Sequence, residues 1–328
     1  MKGVVLIFLA GCALAAPSPD AGCAGCHKAE AQAQAKTPMA SALEPVGDCE
    51  ILRRHSELSF SDGTYSYRIV RQGDSSIYRV TDGKQTISVP LAWAFGLGAA
   101  GQTYVFERNG HWEESRVSYY RAMDGLDLTL GATSARPTTL EEAAGRPMTA
   151  KDSAECFSCH AGHATTAGRL DLSHLEAGVG CGRCHEEAQA HAKSLAAMRK
   201  LGGMNAEEMS TFCGQCHRTW EQIAAEGPFG IGNIRFQPYR LANSRCYDAE
   251  DRRIRCTACH DPHGRPVAYD MKCLACHGST RSEGVKACSV GKADCASCHM
   301  PKLELPGSHH RFTDHQIRVV KAGEKYPN

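Results

Sequence analysis

Seven copies of one pentapeptide, C-x-x-C-H, carry the chemistry of this 328-residue chain. They are Cys23/Cys26/His27, Cys156/Cys159/His160, Cys181/Cys184/His185, Cys213/Cys216/His217, Cys256/Cys259/His260, Cys273/Cys276/His277 and Cys295/Cys298/His299, and they use most of the 18 cysteines. Two thiols three positions apart on one helical turn can each bond a vinyl group of the same porphyrin, and the histidine that follows then sits under the iron as proximal ligand. Zinc is the competing reading, but there two C-x-x-C pairs usually close one tetrahedral site and no histidine need follow each pair. Redox disulfides within each pair would call for a thioredoxin-like βαβ pattern, which is missing. The expected cofactors are seven covalently bound c-type haems.

The elements that must position these motifs fall into two textures. From Cys156 to His299 the segments between motifs are short and mostly polar, as in residues 186–212 with their helical run 188–201. They hold too few large apolar side chains for a conventional core, so porphyrin surface must fill the interior, wrapped thinly by helices and loops. By contrast, 11 of the 22 aromatic residues lie between Phe60 and Tyr120, a stretch without a motif. Its apolar residues recur with period two at Tyr65, Tyr67 and Ile69, then from Ile77 through Tyr78 to Val80, which predicts antiparallel sheet. Asp82-Gly83 and Asn109-Gly110 favour the positive torsions of type I′ turns, so Gln102–Arg108 is expected to fold back on His111–Tyr120.

The expected fold class is α+β. A first haem segment (17–47) precedes a small antiparallel β module (48–131), sandwich or barrel-like, and a linker (132–150) punctuated by Arg136-Pro137 and Arg146-Pro147. A mainly helical and loop six-haem domain (151–328) follows, with little regular sheet. No nucleophile–base or metal-ligand spacing occurs in the β module, so its expected role is that of spacer or docking face.

Lys2 and the apolar run 3–10 read as an export signal, far too short to span a bilayer. Leu9-Ala10-Gly11-Cys12 matches a lipobox that would leave a lipid on Cys12, whereas Ala13-Leu14-Ala15 matches an A-x-A cleavage site; the lipobox accounts for an otherwise lone thiol. Either processing implies a periplasmic or outer-envelope location, with a lipid anchor as the one expected membrane contact. A net charge of +1 gives no reason to expect nucleic acid as a partner.

Residues 172–179 ahead of Cys181, the run CTACHDPHG at 256–264, and CASCHMPK followed by HHRFTDHQIR resemble the multihaem c-type cytochromes related to the nitrifier tetrahaem cytochrome and to hydroxylamine oxidoreductase. The resemblance covers most of residues 20–328; it is specific in the haem half and weaker in the β module, where 91–98 and 102–120 are similar to modules of related cytochromes of unassigned function. It implies electron transfer along closely spaced haems. It also implies distal ligands at His191, His263, His309 and His315, with His174 fitting as well. His163 lies too close to His160 to reach the same iron but could reach a neighbouring one. Where relatives carry a histidine about twelve residues after the first motif, this chain has Met39, whose thioether is expected to ligate the His27 haem or to pack against it. His55, His111 and His310 complete the histidines, and His55 is an alternative ligand for that first haem.

Of the remaining cysteines, Cys246 and Cys288 could form a disulfide across the haem half, and Cys49 reads as a buried free thiol. The expected function is that of an electron carrier linking a quinol-linked donor to a periplasmic or extracellular acceptor. Two alternatives are an oxidoreductase acting on a small nitrogen or sulfur compound at one open haem and a sensory module. Axial ligand count separates carrier from enzyme.

Overall fold

Alternating apolar side chains between Leu43 and Pro147 build two antiparallel sheets in this computed structural model, which describes residues 19–132, 136–278, 288–291 and 293–327. The expected export signal and Cys12 lie outside the described residues. Among those residues no helix is long and apolar enough to cross a membrane. The strands are β1 (Leu43–Pro45), β2 (Glu57–Ser61), β3 (Ser66–Gln72), β4 (Ser75–Thr81), β5 (Thr86–Pro90), β6 (Trp93–Phe95), β7 (Gln102–Arg108), β8 (His111–Tyr120), β9 (Gly125–Leu128) and β10 (Gly145–Pro147). One sheet runs β2-β3-β4-β5; the other runs β1-β6-β7-β8-β10, with β9 also paired to β8.

The inward faces of both sheets share one core. Tyr67, Ile69, Tyr78 and Val80 come from the first sheet and Tyr104, Phe106 and Val117 from the second, and the rings of Tyr78 and Phe106 meet at 5.7 Å. On β4 the inward set is Ser76, Tyr78 and Val80, so Ile77 points the other way. The β7–β8 hairpin closes as the sequence predicts: Arg108 pairs with His111, and Asn109 and Gly110 take φ of 53° and 75°. Asp82-Gly83 is different. It opens a four-residue loop between Thr81 and Thr86, because the Asp82 carboxylate accepts the N–H groups of Lys84 and Gln85 at 2.8 and 2.7 Å.

The sheet also extends past the expected module boundaries. β1 lies before residue 48, and the stretch expected as a linker contributes β10 and the helix Leu140–Ala144, whose Leu140, Ala143 and Ala144 are buried in the sheet core. Thr139 caps this helix by accepting the Glu142 N–H. Of the two Arg-Pro dipeptides, Arg146-Pro147 lies within β10 and pairs with β8.

Past Ala150 the described residues form short helices and loops with only two-residue and three-residue ladders among them. A second small core joins the halves: Phe157 is fully buried against Leu43, Ala161 and Ala164, with Trp93 and Phe95 packed on it. Its ring meets those of Phe95 and Trp93 edge-on at 5.0 and 5.9 Å. The expected α+β class holds, with strands concentrated before the second motif and helices after it.

Candidate haem-ligating centres

Each motif folds as a helical turn. The N–H of His27 bonds Cys23 O at 2.8 Å, that of His185 bonds Cys181 O at 2.9 Å and that of His260 bonds Cys256 O at 2.8 Å. The other four lie in the helices Ala150–His160, Ala206–His217, Tyr269–His277 and Cys295–His299. Capping boxes at Thr149 and Asn205 set where two of these begin. Asp270, ahead of the sixth motif, accepts the N–H groups of Asp294 and Cys295 at 2.7 and 2.9 Å and so caps the helix of the seventh.

Three motif histidines face a second imidazole. The ring centroids of His27 and His191 are 6.3 Å apart, those of His185 and His263 6.3 Å, and those of His260 and His315 6.1 Å. Two imidazoles bonded to opposite sides of one metal, each through a nitrogen at about 2.0 Å, would have centroids about 6.3 Å apart. The three pairs therefore fit an iron held between them, and the paired cysteines beside each fit covalent porphyrin attachment.

Second contacts orient these rings. A carbonyl oxygen can only accept, so a ring nitrogen bonded to one carries the proton and leaves the other nitrogen as the electron-pair donor. His160 Nδ1 donates to Ala42 O at 2.9 Å, His191 Nδ1 to Ala196 O at 2.7 Å, His299 Nδ1 to Arg318 O at 2.9 Å and His315 Nδ1 to Thr313 O at 3.0 Å. His263 has the Asp261 carboxylate 3.4 Å from its Nδ1. Burial pushes the imidazoles of His160, His185, His217 and His260 below their ordinary value, and that of His315 down to about 4. Neutral rings are the form that can bind a metal.

The thiols of the motifs are not all enclosed. Cys156, Cys159, Cys181, Cys184, Cys213, Cys216, Cys256 and Cys259 are half-buried, as suits attachment points facing an interior. Cys26 and Cys298 are instead exposed, and Cys276 is half-buried beside the exposed His277. At the seventh motif the Cys298 sulfur accepts from the neighbouring Ser297 hydroxyl at 3.7 Å.

Several other sequence expectations change. His191, not Met39, stands opposite His27; Met39 is half-buried and its carbonyl takes the N–H of Val179 at 2.9 Å. His55 is tied off at both nitrogens, to Ile51 O at 2.8 Å and to Asp124 at 3.1 Å, which removes it as the alternative ligand for that site. His309 turns its Nε2 to Asp127 at 2.7 Å and packs against Tyr120, so it fastens the C-terminal segment to β9 instead of pairing with a motif histidine. His163 is half exposed with Glu176 at 3.9 Å, His174 and His111 are exposed, and His310 packs edge-on against Phe312. Cys246 and Cys288 are both free and exposed, without the expected bond between them. Cys49 is free and fully buried, and burial pushes its thiol up to about 11.

The motifs also touch one another. The first lies beside the third, where the turn Pro19–Gly25 packs on the helix Cys181–Cys184. From the third, Arg183 reaches Gln215 of the fourth at 3.4 Å. The fourth meets the second where Cys159 and Cys216 are hydrogen-bonding neighbours, and the fifth where Cys213 and Cys256 are. The helix Cys256–Cys259 packs on the helix Tyr269–His277 and so joins the fifth to the sixth, and Cys273 and Cys295 are hydrogen-bonding neighbours between the sixth and the seventh. The order in space is 1-3-4-5-6-7, with the second motif branching at the fourth.

Sequence reasoning missed the supporting residues. Phe157 lies inside the second motif, and its aromatic character in an otherwise small and polar pentapeptide was the available signal. Asp270 and Arg240 carried none, because their partners are distant in sequence.

A family model for cytochrome c3 matches residues 173–278, and one for cytochrome c554 and c-prime matches residues 111–186. No curated protein matches the chain. Among solved structures the fold is similar to that of the outer cell wall cytochrome OcwA, with a TM-score of 0.54 and 14% identity over 92% of this chain and 79% of that one. The matches, together with the repeated motifs and the facing imidazoles, support a multihaem c-type cytochrome.

Proposed function

We propose that the chain carries seven c-type haems and passes single electrons between redox partner proteins of the cell envelope. Iron porphyrin supplies reversible one-electron chemistry, and the side chains here attach it, close its axial positions and set its neighbours. The observation that carries the reading is the set of facing imidazoles at His27/His191, His185/His263 and His260/His315. Closed axial positions suit a carrier, because small molecules cannot then bind the iron. The unbroken run of touching motifs gives electrons a path, and the fourth motif, touching three others, is the junction. Export is supported by the apolar amino-terminal run and by likeness to a cytochrome of the outer cell wall.

Electron paramagnetic resonance of the oxidised holo-protein, joined to turnover assays with hydroxylamine, nitrite and sulfite, tests the reading. Low-spin signals from the three paired centres and no turnover are expected. Dominant high-spin iron with turnover of one of these compounds would replace the carrier with an enzyme.

A further inference from the structure

We propose that Arg240 is a positioning residue that sets the axial geometry of two centres at once, through the segment 314–318. The inference rests on the reading of His315 as the axial partner of His260. Arg240 and Asp314 are both fully buried. The guanidinium grips the carboxylate with Nε and Nη2 at 2.9 and 3.0 Å, and the same group reaches Gln316 Oε1 at 2.7 Å and Pro327 O at 2.8 Å. The Tyr326 ring lies 4.5 Å from its Cζ. A planar five-donor fork can hold these acceptors together, whereas a lysine, a point charge on a flexible stem, cannot.

The clamped segment is anchored at both ends to ligand residues. His315 faces His260, and its own carbonyl accepts from Ser244 Oγ at 3.0 Å, on the turn that follows the helix Gln237–Ala242 bearing Arg240. Ser244 Oγ in turn accepts the Ile317 N–H at 2.8 Å. Arg318 donates its N–H to His299 O at 3.2 Å and offers its own carbonyl to His299 Nδ1 at 2.9 Å, while its guanidinium holds Asp314 at 2.7 Å. Five residues thus aim one distal imidazole at the fifth motif and fix the ring of the seventh. The grip of Arg240 on Asp314 keeps the segment in register. An outer contact of this kind governs ring orientation and ligand basicity.

The test is electron paramagnetic resonance with a spectroelectrochemical titration of the holo-protein and three variants. His315→Ala should convert one low-spin haem to high spin; an unchanged spectrum overturns the ligand reading and the proposal with it. Arg240→Lys should shift the low-spin signals and potentials of two haems and leave the rest in place. If it superimposes on wild type while His315→Ala gives high-spin iron, the ligand reading stands and the clamp is wrong. Should Arg240→Lys fail to accumulate, Asp314→Asn decides by the same criterion, since it removes the charge that Arg240 grips and keeps the size of the side chain.

Discussion

The imidazole of His191 lies 6.3 Å from that of His27, with two whole motifs between them in the sequence. His191 sits on the helix Ala188–Ser194, just after the third motif, and reaches the first because those two motifs are neighbours. The first haem should therefore behave as a bis-histidine centre. His191→Met is expected to raise one potential by on the order of a hundred millivolts, within the span that axial ligands cover. Met39→Leu should leave the titration curve unchanged, and a sulfur-to-iron band in the oxidised spectrum should be absent. A titration of both variants against wild type checks this.

Phe157 is the plug between the sheets and the second motif. Phe157→Ala should cost about 3–5 kcal/mol, as expected for removing a fully buried aromatic ring. Denaturant unfolding of the holo-protein measures it. A loss below about 1 kcal/mol would mean that the seam closes over the gap.

Asp270 ties the sixth motif to the seventh. The N–H groups of Cys295 and Asp294 hold its carboxyl below the ordinary value of 3.8. Because the folded value is the lower one, the stabilisation is complete above 3.8 and fades as pH falls through the folded value. Asp270→Asn should abolish that acid-side dependence and speed hydrogen exchange at the Asp294 and Cys295 amides. Equal exchange in variant and wild type would show that the cap contributes nothing.

Without haem attachment the two halves should part company. The sheets have their own tyrosine-rich core, whereas the buried apolar residues after residue 200 are few and scattered, among them Met204, Met209, Ile223 and Ile234. Expression in a host lacking the attachment system, followed by limited proteolysis, should leave a protected fragment near residues 43–147 and degrade the rest. A resistant C-terminal half would refute the idea that porphyrin serves as its core.

Charge offers a simple check on cofactor number. Two propionates against one net positive charge on each oxidised iron–porphyrin unit shift the protein by roughly −1 per haem, so seven take a nearly neutral chain to about −6. Isoelectric focusing should place the holo-protein well below the sequence value of 7.5.

What the sequence determined by itself is local chemistry. A C-x-x-C-H pentapeptide is a helical turn wherever it stands, so the seven turns and their thiol spacing were legible from the pentapeptide alone. So was the Asn109-Gly110 hairpin, whose positive torsions are a property of two adjacent residues. The tertiary structure decided everything that depends on approach between distant segments. A lone histidine has no local signature of ligation: His191 and His309 stood equal in the sequence, yet one faces His27 and the other is held by Asp127. Met39 stands at the distance where relatives carry a histidine, yet the chain folds so that His191 is the residue that faces His27. The order of the motifs and the clamp of Arg240 on Asp314 arise in the same way, because packing, not sequence separation, determines which buried groups must satisfy one another.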